Sequence, residues 1–133
     1  MKQKIIKQME SYFGRDQKRI RHAHRVLGFA EELLKTEAGD REIVEAAAVL
    51  HDIGIHAAEK KHGSTAGKYQ EIEGPPIAEH ILKKIGYPEN KMDEVLQIIA
   101  HHHRPGIVNT ANFNIIYQAD CMVNNEAENY DRI

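Results

Sequence analysis

The sequence predicts an all-α fold, a compact bundle of about five to six helices. Apolar residues recur at spacings of three and four along most of the chain, which is the period of an amphipathic helix. No alternating polar and apolar stretch is long enough to indicate a strand. Glycines and prolines divide the pattern into segments of helix length, at Gly39, Gly54, Gly86 and the pair Pro75 and Pro76.

The first helix is expected over residues 2–12 and ends near Gly14. A second is expected over about residues 16–36, with Gly39 as its stop. Its apolar positions predict one buried stripe. The residues of this stripe are Ile20, Ala23, Val26, Leu27, Ala30, Leu33 and Leu34.

The third predicted helix, "REIVEAAAVLHD", is apolar almost all round and is therefore expected to lie at the centre of the bundle. Asp40 is a suitable N-cap for it, and Gly54 ends it. Residues 55–73 show the weakest periodicity in the chain and predict a loop or a broken helix.

Three further segments complete the predicted fold. Pro75 and Pro76 open the helix "PPIAEHILKKIG". The next helix is expected over residues 90–103 and stops before Pro105. The last begins near Asn109 and contains "FNIIYQADCMVNN".

The composition limits which classes of function the chain can have. A chain of 133 residues with 41% hydrophobic content suits one domain, 1–133. Its 18 Lys and Arg against 20 Asp and Glu favour neither stable nucleic-acid binding nor an anionic membrane surface. Cys121 has no internal disulfide partner, and no apolar stretch approaches the roughly 20 residues of a membrane span. The apolar segment at the N-terminus is too short for a secretory signal, so a cytoplasmic location is expected.

Two acidic side chains are predicted to point inward from different helices. Asp120 falls on the apolar face of the last helix, and Asp52 follows the apolar central helix. A buried carboxylate needs a basic partner, hydrogen-bond donors, a proton or a metal ion. Because two such residues come from separate helices, one shared cation is favoured over a separate partner for each carboxylate.

Histidines supply the remaining ligands. At about 100° per residue, His22 lies about 70° from the centre of its helix's apolar stripe and His24 about 130° away, so His22 is the inward candidate. With His51, Asp52 and Asp120 it forms a set of two imidazoles and two carboxylates from three helices. This set suits one divalent transition ion with open positions, Mn, Fe, Co, Ni or Zn, and differs from a closed, thiolate-rich structural zinc site.

The order of these residues resembles the HD-domain superfamily of metal-dependent phosphohydrolases, in its HDIG-type form. "HDIG" begins at His51, "RIRHAHRV" resembles the family's first-ligand helix, and "IIYQADCMV" resembles its final aspartate helix. The likeness covers about residues 15–125. It implies an HD-domain-like bundle with a metal site between helices, and hydrolysis of phosphoric esters.

The chain also departs from the family pattern. Ile55 follows "HDIG" where many members have Lys, and Gln70 stands where binuclear members have a His. The family's histidine pair aligns with His102 and His103, while His80 is out of register. One primary ion is therefore expected, with a second ion at His102 and His103 as an alternative.

The wheel of the helix before Pro105 predicts that His103 points near the core and His102 lies at its edge. In one interpretation these histidines are cations that stabilise the C-terminal end of the helix. In the other they line a cleft, where His102 binds a phosphoryl oxygen or relays protons. In "EKKHGSTAGK", Lys60 and Lys61 either contact phosphate or are solvated charges. In "QEIEG", Gln70 and the acids Glu71 and Glu73 either orient site groups or provide surface charge.

These residues predict a metal-activated water that attacks a nucleotide or another small phosphorylated metabolite. Asp52 would bind the metal and accept a proton, and Lys61 and His102 would support the developing charge. The alternatives are a di-iron oxygenase of the HD type and a non-catalytic metal- or nucleotide-binding domain. Because only "NNEAENYDRI" follows Val123, the substrate side is expected to be open or completed by a second subunit in a homodimer.

Overall fold

A computed structural model describes the backbone of residues 1–131 and the side chains of residues 1–126. Within this part of the chain there are seven helices and no strand, which confirms the all-α fold. None of these helices is long and apolar enough to cross a membrane. The helices are α1 Lys2–Phe13, α2 Gln17–Leu33, α3 Arg41–Leu50, α4 Ile55–His62, α5 Gly67–Lys84, α6 Glu89–His101 and α7 Ala111–Asp131.

Helix α3 lies at the centre of the bundle, as its composition predicts. Every residue from Ile43 to Leu50 is buried, and α1, α2, α6 and α7 all pack against it. Asp40 is its N-cap, and its side chain accepts hydrogen bonds from the backbone N–H groups of Glu42 and Ile43. Such a cap stabilises a helix by about 1 kcal/mol.

Helix α2 presents its predicted apolar stripe to α3 and α7. Ile20, Ala23, Val26, Leu27 and Ala30 are buried along this stripe. The helix ends at Leu33, earlier than the predicted residue 36, because the backbone N–H groups of the next residues return to the last turn in a tight bend. His22 lies in the second turn of this helix, which α3 and α7 hold on both sides.

In the segment 55–73 the loop alternative is wrong and the broken helix is confirmed, because α4 and the first part of α5 are separated by residues 63–66. Helix α5 begins at Gly67, and Pro75 and Pro76 lie inside it instead of opening it. Each proline removes one helical hydrogen bond. Packing of α5 against both α4 and α6 keeps the helix continuous, and this tertiary contact is invisible to periodicity.

A close backbone approach joins α4 to α5. A Cβ atom on Gly54 would lie 2.5 Å from the backbone nitrogen of Gly74, so only glycine permits this contact. The ends of α3 and α6 and the middles of α2 and α7 meet beside this contact. This arrangement gathers the polar residues that the sequence singles out.

Candidate metal centre

The structure brings together four of the predicted site residues, one from α2, two from the end of α3 and one from α7. The Nε2 atom of His22 lies 3.2 Å from His51 Nε2, 3.3 Å from Asp52 Oδ2 and 3.1 Å from Asp120 Oδ1. His51 Nε2 lies 3.3 Å from Asp52 Oδ2 and 3.6 Å from Asp120 Oδ1. Two ring nitrogens and two carboxylate oxygens thus surround one small space.

The backbone determines which nitrogen of His51 faces this space. His51 Nδ1 lies 2.7 Å from the carbonyl oxygen of Ala48, so Nδ1 carries a proton and donates it to that oxygen. Nε2 is then the ring nitrogen that faces the carboxylates of Asp52 and Asp120, and it can bind a metal ion in place of its proton. Metal-binding histidines are held in the same way by a hydrogen bond to backbone. The donor set therefore fits a divalent cation.

A second group of potential ligands shares Asp52. Its other oxygen, Oδ1, lies 3.2 Å from His102 Nε2, and His102 Nδ1 is 2.7 Å from the carbonyl oxygen of Ile99. The ligand atoms of Asp52, His102 and His103 all lie within 4.8 Å of one another, as do those of His22, His51 and Asp52. Asp52 therefore directs one oxygen to each group.

The carboxylates of this site are ionised. Burial disfavours their charge, but His51 and His102 hold the pKa of Asp52 well below its ordinary value. Burial likewise opposes the charge of Asp120, and contacts with His22 and His51 lower its pKa. The ring of His51 is desolvated, yet Asp52 and Asp120 raise its pKa well above the ordinary value. The geometry and the electrostatics both require a positive charge here, which a proton or a metal ion can supply.

A cleft of about 460 Å³ opens beside the four-residue cluster. Helix α2 supplies one wall with cationic side chains, and Ile55, Gln70 and His103 from other elements also line the cleft. The cationic wall consists of Lys18, Arg19, Arg21 and Arg25. Arg25 is paired with Glu126 of α7.

The cationic wall is a feature that the sequence analysis missed. Its signal is present, because Lys18, His22 and Arg25 follow one another at spacings of four and three and so share a helix face. Once His22 is chosen as a ligand, these cations must lie beside the same site.

The structure reverses the predicted positions of the histidine pair. His102 is buried, with 3% of its surface exposed, whereas His103 is exposed and lines the cleft. The predicted stripe of α6 contained Leu96, but the structure buries Ile98 instead, and His102 lies four residues after Ile98 on this buried face. His102 accordingly faces Asp52 and not a phosphoryl group in the cleft.

The structure does not bring Lys61 to the cleft. Its ammonium group lies 3.0 Å from Glu73 Oε1 on an exposed face, where Glu73 also contacts His62. His80 is exposed as well. His24 pairs with Glu10 at 2.8 Å and stays outside the cluster.

Glu71 and Gln70 are both buried, in contrast to a surface role for "QEIEG". Glu71 accepts a hydrogen bond from the backbone N–H of His103 at 3.1 Å and one from Arg104 Nε at 2.8 Å. It therefore secures the turn after α6 that carries His102 and His103.

Comparison with protein families agrees with this geometry. The family model for the HD domain matches residues 19–125, a span that includes every residue of the cluster. The chain belongs to the HD-domain family. Comparison with curated proteins and comparison with solved structures each found no match. HD domains are commonly metal-dependent hydrolases, so family membership indicates the class of chemistry for this HD domain and leaves its substrate open.

Proposed function

We propose that this HD domain is a metal-dependent phosphohydrolase that acts on a nucleotide or another small phosphorylated metabolite. The observation that carries the proposal is the convergence of His22, His51, Asp52 and Asp120 beside a cleft with a cationic wall. The cluster suits a divalent transition ion, and the wall suits an anionic substrate. Both features are needed for phosphoryl chemistry.

The four converging side chains would hold the primary ion. A divalent ion in such a site supplies a nucleophilic water near neutral pH and withdraws charge from the phosphoryl oxygens. The mixed set of nitrogen and oxygen ligands is compatible with Mn, Fe, Co, Ni or Zn.

Residues of this chain would perform the remaining tasks. Asp52 lines the cleft and directs one oxygen to each group of ligands, so it would bind the ion and accept the proton of the attacking water. Arg19 and Arg21 present planar guanidinium groups that bind phosphate oxygens in pairs. We assign to this wall the electrostatic support that the sequence analysis expected from Lys61, since Lys61 pairs with Glu73 instead. His102 would act through Asp52, which it contacts directly.

The group formed by Asp52, His102 and His103 favours a second ion beside the first. A two-ion site is compatible with a binuclear hydrolase and with a di-iron oxygenase. The amount and identity of metal therefore separate the candidates: about one ion per chain supports the mononuclear hydrolase, two ions a binuclear hydrolase, and two iron ions the oxygenase.

The decisive experiment combines metal analysis with a phosphate-release assay. Protein purified without added metal is analysed for its metal content and then supplied with Mn, Fe, Co, Ni or Zn in the presence of a nucleotide panel. We expect release of phosphate with at least one ion. Asp52→Asn should abolish release, while the matched control Asp93→Asn, at an exposed position on α6, should retain it.

Two results would contradict the proposal. One is the absence of phosphate release with every ion across the panel, and tight nucleotide binding in that case would indicate a non-catalytic binding domain. The other is unchanged release by a folded Asp52→Asn variant.

A further inference from the structure

A local excess of positive charge distinguishes the cationic wall of the cleft from the rest of the chain. Residues 17–30 contain four of the 18 Lys and Arg and no Asp or Glu, although the whole chain has a formal net charge of -2. All four of these cations line the cleft beside the metal cluster. This concentration of charge at one surface favours an anionic ligand.

The stability of α2 does not account for these cations. Lys18 and Arg19 lie in the first turn of the helix, where the helix dipole disfavours positive charge, and that turn contains no acidic residue. Lys18 and Arg21 are exposed, so neither covers the core. Side chains that oppose local stability are expected at functional sites.

Three of the four cations lack an acidic partner among the side chains of residues 1–126. Arg25 is paired with Glu126 of α7. The cations without such an ion pair are Lys18, Arg19 and Arg21. A divalent ion would neutralise Asp52 and Asp120, the two carboxylates that line the cleft, so the charge of these three cations remains for the substrate. A single phosphate ester carries a charge of only about −1.5 to −2 near neutral pH.

The cations also extend further along α2 than one phosphate group. Lys18 lies four residues before the proposed ligand His22 and Arg25 lies three residues after it, so all three share one face of the helix. From Lys18 to Arg25 the helix rises roughly 10 Å. A phosphate at the ion therefore leaves the charge of Lys18, one turn away, for another anionic group. The cleft volume of about 460 Å³ is in the usual range for small-molecule sites.

We propose that the cleft selects substrates that carry at least two phosphate groups, one held at the ion and a second bound by Lys18. This inference rests on the proposed function, and it narrows the substrate class from phosphorylated metabolites in general to those with several phosphates. The second phosphate either follows the first in a phosphoanhydride chain or lies at another position of the same molecule. A monophosphate leaves Lys18 without an anionic partner and binds more weakly.

The test uses four probes that share one nucleoside and differ in the number and place of their phosphates. They are adenosine, adenosine monophosphate, adenosine diphosphate and adenosine 3′,5′-bisphosphate. Rapid-mixing measurements, which record binding before turnover, give the dissociation constant of each probe for the metal-loaded protein, and release assays give kcat/KM.

The proteins compared are wild type, Lys18→Gln and the matched control Lys84→Gln. Both lysines are exposed, so neither substitution is expected to affect folding, and Lys84 at the end of α5 does not line the cleft. Adenosine diphosphate also binds free metal ions. The comparison of the two variants corrects for this effect, because it is the same in both.

We expect wild type and Lys84→Gln to bind the diphosphate or the bisphosphate about tenfold or more tightly than the monophosphate, because a second charge-assisted contact forms. The preference should weaken as added salt screens the charges. Lys18→Gln should reduce it to about threefold or less. The probe that gains affinity shows whether the two phosphates are linked in a chain or lie apart.

The inference is overturned if wild type binds the monophosphate as tightly as both probes with two phosphates, or if Lys18→Gln keeps the preference shown by Lys84→Gln. Equal kcat/KM for the monophosphate and for both other phosphates would also overturn it, while the proposed function would stand. Failure of the proposed function looks different, because the dissociation constants would still show the preference while no phosphate is released from any probe.

Discussion

The two ends of α3 differ in how their polar groups are paired. At the N-terminal end, the Asp40 carboxylate accepts from two backbone N–H groups and from Lys91, and the Asp40 N–H donates to Asn112 Oδ1 at 2.8 Å. Tyr87 donates its hydroxyl to the carbonyl oxygen of Glu42 at 2.9 Å. Each donor at this end has an acceptor.

At the C-terminal end, two ring nitrogens and two carboxylate oxygens face one another. His51 Nε2 lies 3.2 Å from His22 Nε2 and within 3.6 Å of two carboxylate oxygens, while His51 Nδ1 donates to the backbone. Burial does not distinguish the two ends, because Asn112 and His51 are 9% and 1% exposed. The ends differ in charge: neutral and singly paired groups stabilise the fold at the N-terminal end, whereas two ionised carboxylates at the C-terminal end surround a place that requires a positive charge, from a proton or a metal ion.

The largest effect is expected from breaking the C-terminal end. His22→Ala removes one ligand, and activity should fall by more than about a hundredfold, since even the loss of a partner behind a metal ligand costs roughly 10- to 100-fold. Metal binding measured by calorimetry should weaken in parallel. Without metal, the free energy of unfolding should fall by about 1 kcal/mol, because the Asp120 carboxylate loses its contact with His22 Nε2.

The matched control for this prediction is His24→Ala, two residues along α2. His24 makes an exposed contact with Glu10, so its loss should leave metal affinity and activity unchanged. Equal losses of metal affinity and activity in His22→Ala and His24→Ala would contradict the assignment of His22, and not His24, as a metal ligand.

The next largest effect is expected at the N-terminal end. Asn112→Ala leaves the Asp40 N–H and the Glu94 carboxylate without their partner and should lower the free energy of unfolding by about 1–3 kcal/mol. The specific activity of the folded protein should not change. Chemical denaturation and assays below the unfolding transition measure both quantities, and Asn114→Ala, exposed on the same helix, should be neutral.

Tyr87→Phe should have a smaller effect at the same end. The ring stays buried and only the hydroxyl that bonds to the Glu42 carbonyl is lost, which should cost about 1 kcal/mol. Tyr12→Phe, at a side chain that is 40% exposed, should change stability very little. A loss of metal affinity in Tyr87→Phe would show that the two ends are coupled.

The smallest effect concerns pH. Burial opposes the charge of Asp40, but Lys91 and the backbone N–H groups of α3 outweigh it and lower its pKa. A lowered folded-state pKa means that the charge stabilises the protein above the unfolded pKa of about 3.9, and that this contribution is lost as the pH falls through the folded value.

Asp40→Asn keeps a good N-cap without a charge, so the difference in unfolding free energy between wild type and variant should be roughly 0.3–1 kcal/mol near neutral pH. The difference should shrink below about pH 4. A difference that is constant down to pH 2 would contradict the charge contribution.

Local chemistry made much of the fold predictable. Asp40 caps α3 because a carboxylate before an apolar helix satisfies its first N–H groups. The all-round apolar character of α3 places it at the centre. The extent of α5 was not predictable in this way, because the helix continues through Pro75 and Pro76 while it packs against α4 and α6.

The candidate site shows the same division. His22 was separable from His24 because both lie inside a regular helix, where 100° per residue holds. His102 and His103 were assigned the wrong way round, because the predicted stripe of α6 contained Leu96 where the packed helix buries Ile98. Lys61 was expected to contact phosphate because of the composition of its segment alone. In the structure it forms an ion pair with Glu73 instead.

The sequence by itself determined the helical class, the central helix with its cap and the ordered set of His22, His51, Asp52 and Asp120, because each depends on the identity and spacing of residues within one helix. Only the tertiary structure decided that Asp52 divides its oxygens between two groups, and that the cations of α2 line one cleft with Gln70 of α5. These relations join atoms of different helices, and the distances between helices are set by packing.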